Sequence, residues 1–302
     1  MKAFLVVFLF IALQLNAMAQ VRIVEKVLNG LKYQCRLMGN EKGAPVVLLH
    51  GWPETSHMWI PLMERLATEG FFCVAPNQRG FSPEARPKKI ADYEIGILQQ
   101  DVILLADAFG FEKFHLIGHD WGSAIGWAVI NFNDDRVKSW TALSVPHVRA
   151  FSEALRFDKK QRKMSQYMAL FQWRGISEWY LLKKDRLNLR KIWKKSSPDQ
   201  LAEYLNVIGN KPALKATLAY YRANYHTLKK GKGANDYGEV SIPTILIWGK
   251  KDFALGRTGV EGTAKFMKGP YQFIELEAGH WLMQEAFEEC ATPIINHINK
   301  YR

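Results

Sequence analysis

Cysteine is scarce in this chain, with three residues, Cys35, Cys73 and Cys290, among 302. That excludes a disulfide-framed fold, and because two of the three fall within apolar strand-like runs, buried, unbridged thiols are expected. Internal repeats and low-complexity tracts are missing too, which excludes solenoids and arrays. Long hydrophobic runs are limited to residues 3–15, which follow Lys2 and precede Ala17-Met18-Ala19. This run is short for a bilayer span, and a positive start, apolar stretch and small-x-small site predict that residues 1–19 are a cleaved secretory signal. The protein is therefore expected to be exported, periplasmic or secreted, with a retained membrane anchor as the weaker reading. No cysteine follows the cleavage site, so a lipoprotein anchor is not indicated.

Acidic residues form the second deficit: 29 Asp or Glu stand against 41 Lys or Arg, a formal net charge of +12. Residues 151–240 hold 19 of the basic and 8 of the acidic residues, a net of +11, so nearly all of the excess sits in under a third of the chain. No nucleic-acid-binding motif accompanies it, and nucleic acid is discounted as a partner. Solvated helix faces are the plain reading of this charge, and a weak attraction to anionic surfaces is the sharper one. Apolar residues, by contrast, are plentiful: 48% of the chain is hydrophobic and 13% aromatic, enough for a large core.

Alternating polar and apolar segments at 21–28 and 31–38 flank Asn29-Gly30, a hairpin signal. Strand and helix patterns then alternate: strands at 45–50, 71–76, 114–119 and 137–145, helices at 55–69, 97–109 and 123–133. This rhythm predicts a parallel sheet covered by helices on both faces. It breaks between residues 149 and 232, where helical periodicities rich in Trp, Tyr, Lys and Arg occur without a good strand. Strand patterns at 244–249 and 271–276 and a helix at 285–299 resume it. The expected organisation is one α/β core, 20–148 and 233–302, with a helical lid inserted at 149–232.

A serine is also missing from the place where many hydrolases carry one. Gly118-His119-Asp120-Trp121-Gly122 joins the strand at 114–119 to the helix that follows, the setting of a nucleophile elbow. Small residues two before and two after the apex bracket Asp120 and no other residue; Ser123 has Trp121 and Ile125 as its bracket. A carboxylate there attacks saturated carbon and forms an alkyl ester. Hydrolysing that ester needs an activated water, and His280, in Ala278-Gly279-His280-Trp281 after the last strand, is the expected base. Asp252, just past the preceding strand, is the acid expected to orient it, which completes the order nucleophile, acid, histidine. An N-cap role is the competing reading of Asp120, and a satisfied structural histidine that of His280. His50-Gly51-Trp52-Pro53-Glu54 follows the first central strand, so the backbone N–H groups of Trp52 and Trp121 are expected to face the ester oxygen.

Together these motifs resemble the epoxide hydrolases of the α/β-hydrolase superfamily, and the likeness runs over essentially the whole chain after residue 19. His50-Gly51-Trp52-Pro53 resembles that family's oxyanion motif and the Asp120 pentapeptide its elbow. Within the lid, the segments Tyr167-Met168-Ala169-Leu170-Phe171-Gln172 and Tyr220-Tyr221-Arg222 resemble those carrying its paired tyrosines, which places Tyr167 and Tyr221 in that role. The resemblance implies the α/β-hydrolase fold, an apolar epoxide as substrate, no metal and no organic cofactor. His50, Pro53, Trp121, Phe171 and Trp281 are candidates for the pocket wall. Asn77, opening Asn77-Gln78-Arg79-Gly80, departs from an aspartate common in relatives, a change expected to touch a structural hydrogen bond only. A haloalkane dehalogenase shares the Asp–His–Asp machinery, but the asparagine that many of them place at position 52 is missing, as is an arginine at 121 that a fluoroacetate dehalogenase would want. A catalytically silent secreted binding protein on the same fold is the third reading.

Overall fold

The computed structural model describes residues 20–230 and 233–302. The expected signal, 1–19, lies outside these residues, as do the last two positions of the expected lid. Eight strands form one sheet in the order β1 (Arg22–Leu28), β2 (Leu31–Met38), β4 (Phe71–Pro76), β3 (Ala44–Leu49), β5 (Phe114–His119), β6 (Val137–Leu143), β7 (Thr244–Gly249), β8 (Tyr271–Leu276). From β4 through β8 all pairs are parallel, and β2 is antiparallel to both β1 and β4. Asn29 and Gly30 both have positive φ, 48° and 76°, the pair of values that closes a two-residue hairpin. Every residue of β4, β5 and β7 is buried, as continuous apolar runs require when both faces of a sheet are covered. All three cysteines are buried and free.

Helix ends moved where a proline or a distant side chain intervenes. The helix expected at 55–69 divides into a 3₁₀ turn, Ser56–Trp59, and a helix, Ile60–Thr68, with Pro61 in its first turn. A helix begins at Ile95 because Asn224, far along the chain, accepts the Ile95 N–H at 2.9 Å. The final helix is also split, at Ala286, into Leu282–Glu285 and Phe287–Lys300.

Between β6 and β7 the described chain contains seven α-helices and no strand, from Val148–Phe157 to Ala219–Lys230. This helical cap is pinned to the core loops along a seam. Trp193 Nε1 donates to the Pro53 carbonyl at 3.0 Å, Tyr220 Oη to the Arg79 carbonyl at 2.8 Å, and Gln161 Nε2 to the Ala254 carbonyl at 2.8 Å. The loops at the carboxyl ends of β3, β5, β7 and β8 thus lie under a roof of helices, where open α/β sheets place their sites.

Candidate active site

Asp120 connects β5 to the helix Trp121–Phe132 with φ 50° and ψ −118°, a strained conformation for an L residue. A Cβ on Gly118 would stand 2.4 Å from the Gly122 carbonyl oxygen, and one on Gly122 would stand 2.0 Å from that of Leu49. The two glycines therefore let strand, turn and helix close up, and the carboxylate is the group they present. Ser123, one turn into the helix, is buried and donates to the Val145 carbonyl at 3.3 Å.

Two loops converge on that carboxylate. The Trp52 N–H donates to Asp120 Oδ1 at 2.7 Å, and His280 Nε2 lies 3.5 Å from Oδ2. On its other side His280 Nδ1 is 2.8 Å from Asp252 Oδ2. The second oxygen of Asp252 accepts the N–H groups of Ala254 and Leu255 at 2.7 and 3.0 Å, which aims the carboxylate at the ring. The loops after β7 and β8 are tied together by Lys250 N–H to the Leu276 carbonyl and Lys251 N–H to that of Ala278. Trp121 opens the helix, and among the described residues the Trp52 N–H is the backbone donor that reaches the carboxylate.

These neighbours set the charges. Burial opposes a charged His280, but Asp252 and Asp120 on either side outweigh it and raise its pKa from 6.5 to about 10. Burial pushes the Asp120 carboxyl up, and the hydrogen bond and charge of His280, with the Trp52 N–H, more than reverse this and hold it below its ordinary value. The site at rest is a buried carboxylate beside an imidazolium.

The cavity above Asp120 has a volume of about 60 Å³ and is walled mainly by apolar side chains: Val145, Pro146, Val148, Phe151, Met168 and Leu255. Tyr167 and Tyr221 both line it, with ring centroids 5.9 Å apart. Burial first, and then the charge of Asp120, keeps both phenols protonated far above the usual tyrosine range. Trp121 also lines the cavity, and its ring is 5.1 Å from that of Tyr221. Tyr220 points elsewhere: its hydroxyl is spent on Arg79, next to the buried Arg79–Asp101 ion pair.

Four of the five pocket candidates stand behind the wall. His50 is fully buried, with Nε2 accepting the Gln78 N–H at 3.2 Å and its ring against Phe81. Pro53 offers its carbonyl to Trp193. Phe171 packs on Trp52 and Tyr221 at 4.8 and 4.9 Å, and Trp281 on His280 at 4.8 Å. Phe171 and Trp281 thus abut residues of the site, and none of the four is among the side chains that line the cavity. Asn77 accepts both the N–H and the hydroxyl of Ser56, at 3.0 and 2.7 Å, which is the structural hydrogen-bonding place expected for it.

One buried cluster escaped the sequence reading. Glu54, 1% exposed, accepts from Tyr204 of the cap at 3.2 Å, and its other oxygen lies 3.3 Å from Nδ1 of His119. His119 Nε2 is 2.9 Å from the His280 carbonyl, so the residue before the apex braces the loop carrying His280. Glu54 adjoins the motif at 50–53, which is the only signal the sequence carries for it. Among the described residues no group of three or more His, Cys, Asp or Glu side chains is arranged to hold a metal ion.

This sheet order, with a strained turn after the fifth strand, defines an α/β hydrolase. The chain belongs to that family: residues 44–287 match the family described as alpha/beta hydrolase fold. Among curated relatives, the AB hydrolase superfamily protein YfhM of Bacillus subtilis is 30% identical over 85% of this chain and 91% of its own length. Epoxide hydrolase A of Mycobacterium tuberculosis is 28% identical over 89% of this chain and 95% of its own. Among solved structures, a variant of an epoxide hydrolase from Bacillus megaterium, complexed with its product (R)-3-[1]naphthyloxy-propane-1,2-diol, superposes with a TM-score of 0.83 at 26% identity, over 91% of this chain and 100% of that one.

Proposed function

We propose that this protein is an epoxide hydrolase that opens an apolar epoxide to a vicinal diol through an ester on Asp120. The observation that carries this reading is the cavity itself: an elbow carboxylate at its floor, two protonated phenols in its wall and hydrocarbon around them. The relatives named above supply the substrate class. A phenol is suited to the task because it binds the ring oxygen and gives up a proton only to a strong base such as the departing alkoxide.

In the first step an Asp120 oxygen attacks a ring carbon, its C–O bond breaks, and the alkoxide takes a proton from Tyr167 or Tyr221. The phenolate so formed is reprotonated at the expense of the His280 imidazolium. Esterification removes one of the two negative charges that raise the histidine, Asp252 keeping the other, so the ring gives up its proton more readily when a base is needed. In the second step His280, oriented by Asp252, takes a proton from water, and the oxygen attacks the ester carbonyl. The Trp52 N–H already bonded to Asp120 stabilises the oxyanion, with that of Trp121 joining as the carboxyl turns. The intermediate expels the diol, to which the remaining water proton passes, and carboxylate and imidazolium are restored.

Replacement of His280 by Gln should stop the cycle at the ester. Intact-mass measurement on that variant, incubated with an epoxide that the parent turns over, is expected to show protein plus one substrate; an unmodified mass overturns the scheme. Halide release from a haloalkane panel, in place of diol from an epoxide panel, would assign the protein to the dehalogenases. Export through residues 1–19 belongs to the same proposal, and N-terminal sequencing of protein recovered outside the cytoplasm is expected to begin at Gln20.

A further inference from the structure

Eight of the ten tryptophans are buried, and the two that are not, Trp173 and Trp179, lie six residues apart on the cap, 62% and 63% exposed. They are not isolated. The helical stretch that starts at Ile176 and breaks at Lys183, beyond which Lys184, Asp185 and Arg186 have positive φ, turns Ser177, Glu178 and Leu181 inward, while Ile176 (48% exposed), Trp179 and Tyr180 (38%) face outward at a spacing of three and four. Lys183, next in that spacing, holds Nζ over the rings of Trp179 and Tyr180 at 4.7 and 4.8 Å. Leu170, 38% exposed, and Trp173 lead into this face.

The charge around the face is one-sided. Residues 170–195 contain eight Lys or Arg and two acids. Both acids are already engaged, Glu178 with Arg222 at 2.9 Å and Asp185 with Arg186 and Arg190 at 2.8 and 3.1 Å. Among the described residues, Arg174, Lys183, Lys184, Lys191, Lys194 and Lys195 have no acidic partner, and all but the half-buried Lys183 are exposed.

We propose that this aromatic, cationic face of the cap docks on an anionic lipid surface. Indole and phenol rings have an apolar body and a polar edge and settle at the depth of lipid headgroups, while Lys and Arg reach anionic phosphates beside them. Ile176 and Leu170 fit the same surface, since aliphatic side chains insert among acyl chains and offer nothing to stacked bases. A second copy of the chain fits poorly, because a twofold contact sets the unpaired cations of one face against those of the other. Docking would also bring lipid close to the cavity, since Leu170 ends the short helix Tyr167–Leu170 that sends Tyr167 and Met168 into the cavity wall.

The test is co-sedimentation of the protein beginning at Gln20 with vesicles of phosphatidylcholine alone or of phosphatidylcholine and phosphatidylglycerol in roughly equal parts. Three double variants accompany it: Trp173→Ser/Trp179→Ser and Lys183→Glu/Lys184→Glu on the face, and Lys88→Glu/Lys89→Glu on the core, where both lysines are also exposed. All forms begin at Gln20, the N-terminus proposed above, so the apolar run at 3–15 cannot itself hold the protein on vesicles, and circular dichroism verifies that each is folded. The parent is expected to bind the anionic vesicles at least about tenfold more tightly than the neutral ones, each face variant to lose about tenfold, and the core variant to stay within about twofold. Absence of a preference for anionic vesicles, undiminished binding by the tryptophan variant, or equal loss in the face and core charge variants overturns the proposal. So does retention on single-stranded RNA with none on vesicles.

Discussion

At the floor of the cavity, Asp120 is held at φ 50° by two glycines that admit no Cβ and by a backbone N–H at 2.7 Å. In its wall, Tyr167 and Tyr221 sit in helices and are placed by packing against Phe171 and each other, ring centroids 4.9–5.9 Å apart. Backbone geometry and directed hydrogen bonds define the first region, so small changes there are felt at once by the fold, the chemistry or both. Shape and burial define the second, so it tolerates the loss of a hydroxyl as structure while forfeiting what the hydroxyl does. The division suits a site where the nucleophile needs one fixed position and the cap needs only to present two donors.

That contrast can be broken in several places. Replacing Asp120 with Ala removes the atom that bonds to substrate, and diol formation is expected to fall by about 10⁴-fold or more. The double variant Tyr167→Phe/Tyr221→Phe keeps the ring packing, so folding should survive while ester formation slows by about 10³-fold. Single-turnover mass measurements should show ester hydrolysis changing much less. Gly122→Ala probes the floor without touching chemistry; with the new Cβ 2.0 Å from the Leu49 carbonyl oxygen, urea denaturation should register a loss of about 3 kcal/mol. If Gly122→Ala proves harmless, the floor is not rigid in the sense argued above.

The charge pair yields a smaller, pH-dependent effect. His280 is raised in the folded chain from 6.5 to about 10, so the stability it contributes is complete below pH 6.5 and is lost as pH rises through 10. Urea denaturation across that window should show a decline with rising pH, which His280→Gln flattens. Tyr220→Phe should cost about 1 kcal/mol, for the bond to the Arg79 carbonyl, and leave ester formation unchanged. An effect of Tyr220→Phe on ester formation as large as that of Tyr221→Phe would erase the distinction drawn between these neighbours.

The elbow was legible because its requirement is local: only a glycine bracket lets a strand turn straight into a helix, and the apex can be read from the bracket. The positions of the strands along the chain were legible because fully buried strands need continuous apolar runs, as in β4, β5 and β7. The start of the helix at Ile95 was not, since its cap comes from Asn224, 129 residues away. The cavity wall was not either: Val145, Phe151, Met168 and Leu255 are apolar residues on separate segments, and nothing in an apolar side chain marks it as facing a void and not a neighbour. His50, Phe171 and Trp281 are outside the cavity lining for the same reason.

What the chain determined by itself is therefore the material with strict local rules, namely the carboxylate at the tight turn, the acid and histidine after later strands, and a cationic, aromatic segment between them. Only the tertiary structure decided which apolar side chains wall the cavity, which tryptophans stay outside, and that Glu54 and His119 brace the histidine loop. Burial and long-range pairing are properties of residues brought together from distant positions, and a linear pattern does not carry them.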